Sequence, residues 1–136
     1  MNKTYRWKEI LLWLWQLPQN LLGLALLHHY RDARLYHTEN GRRYYAAYDM
    51  PSGISLGNYI ILHQADMGND KLHEYGHSRQ SRILGPLYLL LIGLPSILGN
   101  LFDQVFHRHW SYERSYRWYY RLPWEAWADK LGGVRR

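Results

Sequence analysis

The sequence predicts an α+β domain. A small antiparallel sheet of about three strands packs on one helix carrying His-Glu-x-x-His and on a C-terminal helix carrying Glu-x-x-Ala-Asp. Three observations carry that prediction. Short Tyr-rich runs are punctuated by turn residues, two capped segments have helical spacing, and two long apolar blocks span 10–27 and 84–102. No linker or internal repeat divides the chain, so 1–136 reads as a single domain.

The first block begins after Lys3, Arg6 and Lys8, and Pro18 breaks it into two short helical pieces. Gln16, Gln19 and Asn20 interrupt its apolar character, which argues against a cleaved signal peptide. A kinked span, a shallow hairpin and a core helix are all compatible with it. Arg34 to Thr38 and Arg42 to Tyr48 read as strands, and the intervening Asn40-Gly41 is a hairpin signal. After the turn Met50-Pro51-Ser52-Gly53, Ile54 to His63 reads as a third strand, offering an edge that can align an extended peptide. Met67-Gly68-Asn69-Asp70 reads as a loop in which Asn69 or Asp70 caps a helix over 70–84. Gly85-Pro86 ends that helix. Residues 107–121 are aromatic and basic, and a last helix starts at Leu122-Pro123 and stops at Gly132-Gly133.

Composition removes several classes of function. The chain has no Cys, so disulfides, thiol catalysis and Cys-based metal sites are excluded, and any metal must be held by His and carboxylates. With 47% hydrophobic and 21% charged residues it is not disordered. The net charge of +6 is scattered rather than gathered in a stripe, which argues against nucleic acid as a partner. Seven Trp and thirteen Tyr against two Phe favour a surface that is apolar on one side and wet on the other.

The chemistry concentrates at His73-Glu74-Tyr75-Gly76-His77. Residues four apart share a helix face, so His73 and His77 can present two imidazoles to one ion. Glu74, about 100° around the helix, can take a proton from a metal-bound water and deliver it to a leaving amine. A third ligand is required. Position 83 is Ile, which rules out a His six residues past His77, and among the downstream acids only Glu125 lies in a second capped helix. There Glu125 and Asp129 are again four apart, a spacing that lets Glu125 reach the metal while Asp129 orients one imidazole. Ala128 is small enough for the two helices to pack closely. Gly76, which costs about 1 kcal/mol inside a helix, fits close helix packing.

His73-Glu-x-x-His77 followed by Glu125-x-x-Ala-Asp129 resembles the gluzincin metallopeptidases, most closely the membrane-embedded branch of prenyl-protein and heat-shock-type proteases. The resemblance implies one zinc ion per chain on His73, His77 and Glu125, with Glu74 as catalytic base and Asp129 as partner to a ligand. The chain is shorter than those proteases and has fewer apolar segments. His109, Tyr116 and Arg117, with neighbouring Tyr112, Tyr119 and Tyr120, are candidates for steadying a developing oxyanion. His63 and His107 read as partnered or exposed histidines.

The two motifs must meet at one ion, so both flanks of block 84–102 must reach the same site. Gly93 and Pro95 at its midpoint predict a helical hairpin or sharp bend, so that the block dips into one leaflet and returns or packs against the first block. Flanking Arg79, Arg82, Arg108 and Arg114 fit anionic headgroups and a metal site on the cytoplasmic side. The expectation is a membrane-associated zinc endopeptidase acting on a peptide or protein substrate. The alternative is a non-proteolytic zinc-binding membrane or interaction protein. A mean hydropathy of −0.50 also leaves a soluble form open.

Overall fold

The computed structural model describes residues 2–65 and 68–136. It is α+β, with the element order α1 (Lys3–Trp15), α2 (Leu17–His29), β1 (Arg34–Glu39), β2 (Arg42–Ala46), β3 (Ile54–Leu56), β4 (Tyr59–Leu62), α3 (Asn69–Leu84), α4 (Leu94–Phe106), α5 (Tyr112–Tyr120) and α6 (Pro123–Gly132). A 3₁₀ turn at Gly85–Leu87 and a π-helical turn at Leu89–Gly93 join α3 to α4.

The sheet has four strands in the order β1-β2-β4-β3, and it is mixed rather than antiparallel. The expected hairpin at Asn40-Gly41 forms, both residues taking positive φ of 49° and 78°. The expected single strand over Ile54 to His63 is two strands. Gly57, at φ 65°, opens a two-residue turn with Asn58. The chain thus lays β3 at the outer edge and returns as β4 between β2 and β3, parallel to β2. Of the expected strand only β3 therefore lies at an edge of the sheet, the other edge being β1, and Tyr88 donates its hydroxyl to the Ser55 carbonyl at 3.1 Å.

All four residues of β4 are buried, as a central strand covered on both faces requires. Its alternation sorts the core into two layers. Ile60 and Leu62 join Tyr44 beneath Tyr75 of α3. Ile61 joins Ala47 and Met50 beneath Leu26, Leu27 and Tyr30 at the end of α2. Helix α3 is thereby held between the sheet and α6.

Pro18 acts as expected: α1 and α2 meet at Gln16 with an 85° bend. The residues that interrupt the apolar block face inward. Gln16 accepts from the Ser81 hydroxyl at 2.7 Å, Gln19 donates to Ser81 at 2.9 Å and to the Gly85 carbonyl at 2.8 Å, and Asn20 accepts from the Asn58 amide at 2.8 Å. The apolar residues of the same helices, among them Trp7, Leu11, Leu14 and Leu21, are exposed.

The second block corrects the hairpin expectation. Leu89–Phe106 runs as one continuous helix, apolar and long enough to cross a membrane, with 11% of it buried. Pro95 cannot donate a backbone N–H and its ring crowds the carbonyl four residues back, and the π-helical turn at Leu89–Gly93 widens the backbone where that conflict falls. The return is made instead by α5, which runs back along α4. Phe102 stacks on Trp118 at 5.6 Å, and Leu122 packs against Gly99.

Helix α3 spans the expected residues, but Gly68 rather than Asn69 or Asp70 occupies its cap position. Met67, expected in the preceding loop, lies outside the described residues. Helix α6 ends on Gly133 in the left-handed conformation, as the Gly132-Gly133 pair predicts.

Candidate metal centre

Helix α3 is unusual in burying polar groups. His73, Glu74, His77, Ser78, Gln80 and Ser81 are all buried. It crosses α6 at backbone contact, because a Cβ on Gly76 would overlap the Ala128 carbonyl and a Cβ on Gly132 would overlap that of Leu72. This close approach brings Glu125, one turn before Ala128, and Asp129, the residue after it, against His73 and His77.

The imidazoles of His73 and His77 lie edge to face, 4.6 Å between centroids. Their Nε2 atoms converge on one oxygen: Glu125 Oε2 is 3.0 Å from His73 and 3.1 Å from His77. The other ring nitrogens are engaged. His73 Nδ1 is 2.7 Å from Asp129 Oδ1, and His77 Nδ1 is 2.7 Å from Gln80 Oε1. The Gln80 amide nitrogen donates to the Trp124 carbonyl at 2.8 Å, which fixes which end of the amide faces His77. An amide oxygen only accepts, so His77 Nδ1 carries hydrogen and its Nε2 offers a lone pair.

Glu125 is fully buried and its two oxygens have separate roles. Oε2 faces the imidazoles, while Oε1 accepts from the Tyr119 hydroxyl at 3.0 Å and from the Ser96 hydroxyl. Asp129 is held in turn by Arg136, whose Nε donates to Oδ2 at 2.6 Å and Nη2 to Oδ1 at 3.0 Å.

The electrostatics favour positive charge between the rings. Burial opposes a charged His73, but its bonds to Asp129 and Glu125 prevail and push its pKa up to about 9. Burial also opposes ionised Glu125 and Asp129. Hydrogen bonds from the histidines, with Ser96 on Glu125 and Arg136 on Asp129, outweigh it and hold both carboxyls below their usual range. Glu74 differs: burial dominates over the nearby histidines and raises its pKa. Its carboxylate lies beside the Gly53 backbone, where a Cβ would sit 3.3 Å from Oε1.

His73, His77 and Glu125 can hold a metal ion, their ligand atoms all lying within 4.8 Å of one another. Two imidazole lone pairs, each about 3 Å from one carboxylate oxygen, repel it unless a cation or proton lies between them. Ligands at tetrahedral angles on bonds of about 2.0–2.1 Å are about 3.3 Å apart, close to the separations seen here.

Of the other residues singled out by sequence, Tyr116 accepts from Arg136 and packs at a tilt against Tyr120, itself edge-on to His73 at 5.0 Å. His109 and Arg117 are exposed, on the α4–α5 loop and the outer side of α5. His63 bonds the Met50 carbonyl and His107 bonds Asp103, so both are partnered. Sequence reasoning missed Gln80 and Ser96. The position of Gln80, one turn beyond His77 on the same face, is a signal that could have found it. Set against protein-family models, curated proteins and solved structures, the chain has no significant match among them.

Proposed function

We propose that the chain is a membrane-associated zinc metalloendopeptidase of gluzincin type. The observation that carries this reading is the convergence of two Nε2 atoms and Glu125 Oε2, with buried Glu74 next in sequence to one of those ligands. The all-His/carboxylate donor set suits zinc in a catalytic type of site. Zinc, when bound, supplies a Lewis acid that polarises a peptide carbonyl and makes water a nucleophile at neutral pH.

The residues of this chain do the rest. Asp129 and Gln80 hold the two imidazoles by Nδ1 and direct Nε2 inward. Tyr119 and Ser96 hold one oxygen of Glu125 so that the other faces the ring nitrogens. Glu74 accepts the proton of the attacking water and returns it to the leaving amine. Burial raises its proton affinity above that of an ordinary glutamate.

The membrane part of the reading rests on the exposed apolar faces of α1, α2 and α4. The basic residues beside them favour a metal site on the cytoplasmic side.

A second reading, a metal site kept for structure or for partner binding, is favoured by the burial of all three ligands, none more than 6% exposed. Glu74→Gln separates the two. The peptidase reading expects this variant to keep its zinc and lose hydrolysis of a casein or quenched-peptide substrate. Absence of hydrolysis by zinc-loaded wild-type protein, or equal hydrolysis by both, overturns it.

A further inference from the structure

The continuous helix Leu89–Phe106, formed by the π-helical turn and α4, has two unlike faces. Leu90, Leu94, Ile97, Leu101 and Val105 are exposed along one side. On the other, Ile92 is buried, Ser96 bonds Glu125, Gly99 receives Leu122, and Asp103 bonds His107. This is the one-sided apolarity of a helix lying in an interface, although 18 residues, about 27 Å, match the hydrocarbon thickness.

What accompanies α4 decides between the two placements. Helix α5 runs antiparallel beside it, setting Trp118 against Phe102 and Leu122 against Gly99. Arg117 and Arg121, the residues just before Trp118 and Leu122, are exposed at the depth of the middle and second half of α4. If α4 crossed a bilayer, both guanidinium groups and the metal centre beside Ser96 would be carried into the hydrocarbon, where unpaired charge is costly.

The first helices meet the start of the second apolar block, at the 3₁₀ turn ahead of α4. The Trp15 indole lies over Gly85 and donates to the Arg82 carbonyl at 3.1 Å, next to where the second block begins. Exposed Lys3, Arg6 and Lys8 lie on the first turns of α1, and exposed Arg114, Arg117 and Arg121 lie on α5 and at its end. This charge distribution complements anionic lipid headgroups.

We infer that α4 does not cross the membrane: together with the α1–α2 elbow it lies in one leaflet of an anionic bilayer, with the arginines of α5 at headgroup level. The inference rests on the membrane reading above and adds to it that every segment of the chain stays on one side. The metal centre then sits at the membrane surface, within reach of substrate segments that emerge from the same leaflet.

Because the chain has no Cys, a single introduced thiol reports its own location. Thr38→Cys on the exposed side of β1 and Arg108→Cys just beyond α4 replace exposed residues outside the metal centre. Each variant is expressed, and sealed membrane vesicles are treated with a membrane-impermeant maleimide before and after detergent. The inference expects both variants in the carbonate-resistant membrane fraction and both thiols labelled to the same extent from the same face. Labelling of the two from opposite faces overturns the inference and leaves the membrane reading standing. Recovery of both variants in the soluble fraction overturns the membrane reading and the inference with it.

Discussion

The α3–α6 crossing and the outer faces of α1, α2 and α4 exchange the usual places of polar and apolar residues. At the crossing, histidines, carboxylates, an amide and serines are buried. On the outer helices, leucines and tryptophans stand exposed. The polar interior is tolerable because nearly every group there has a named partner, from Gln16–Ser81 at one end to Asp129–Arg136 at the other. The comparison teaches that folding free energy and function are separated in space. The apolar core that drives folding is the small two-layer cluster around β4. The rest of the interior is a polar cluster whose His73, His77 and Glu125 could hold a metal ion, and the outer helices leave their apolar side chains exposed.

The comparison breaks first if the crossing is not closed by glycine. Alanine is favoured over glycine by about 1 kcal/mol in an ordinary helix. At Gly76 the added Cβ would meet the Ala128 carbonyl, backbone against backbone, so Gly76→Ala should destabilise by about 3 kcal/mol. Denaturant unfolding checks the sign, and a stabilised variant would show that the helices do not touch there.

A smaller effect is expected where a ligand is only held in place. Gln80→Leu keeps the volume but leaves His77 Nδ1 without its acceptor, and Asp129→Asn weakens the partner of His73. Each should lower zinc affinity by roughly 10–100-fold, about 1.4–2.8 kcal/mol, with little change in fold. Competition titration with a zinc chelator measures this, and unchanged affinity in both would mean that the ring orientations are set by packing alone.

The smallest effect belongs to the outer face. Ile97→Ser and Leu101→Ser should change stability in detergent by no more than about 0.5 kcal/mol, because neither side chain packs into the interior. The same variants should be recovered less fully with membranes. A large loss of stability would show that this face packs against protein.

How much of this was legible in the sequence follows from the range of each interaction. His73, Glu74 and His77 are one local motif, and Glu125 and Asp129 repeat the spacing of four, so the cluster of His73, His77 and Glu125 that could hold a metal was legible in the sequence. Pro18, Asn40-Gly41 and Gly132-Gly133 act through the backbone of their own neighbourhood, and each produced the expected break, turn or stop. Gly57-Asn58 carried a two-residue hairpin signal that the continuous apolar run around it obscured. The insertion of β4 between β2 and β3 depends on long-range pairing, which no local pattern encodes. Ser96 and Tyr119 reach Glu125 from different helices, and Gln16, Gln19 and Asn20 looked like flaws in an apolar block until their inward direction was seen. Pro95 suggested a bend, but the π-helical turn ahead of it let the helix continue.

The central claim is that α3 and α6 together bind one zinc ion through His73, His77 and Glu125. Its most direct test is the metal content of purified Glu125→Ala beside wild type, measured by elemental analysis after equal exposure to zinc. The account predicts about one zinc per chain in wild type and a near-complete loss in the variant, with both folded by circular dichroism. Equal zinc in the two proteins, or none in wild type, would contradict it.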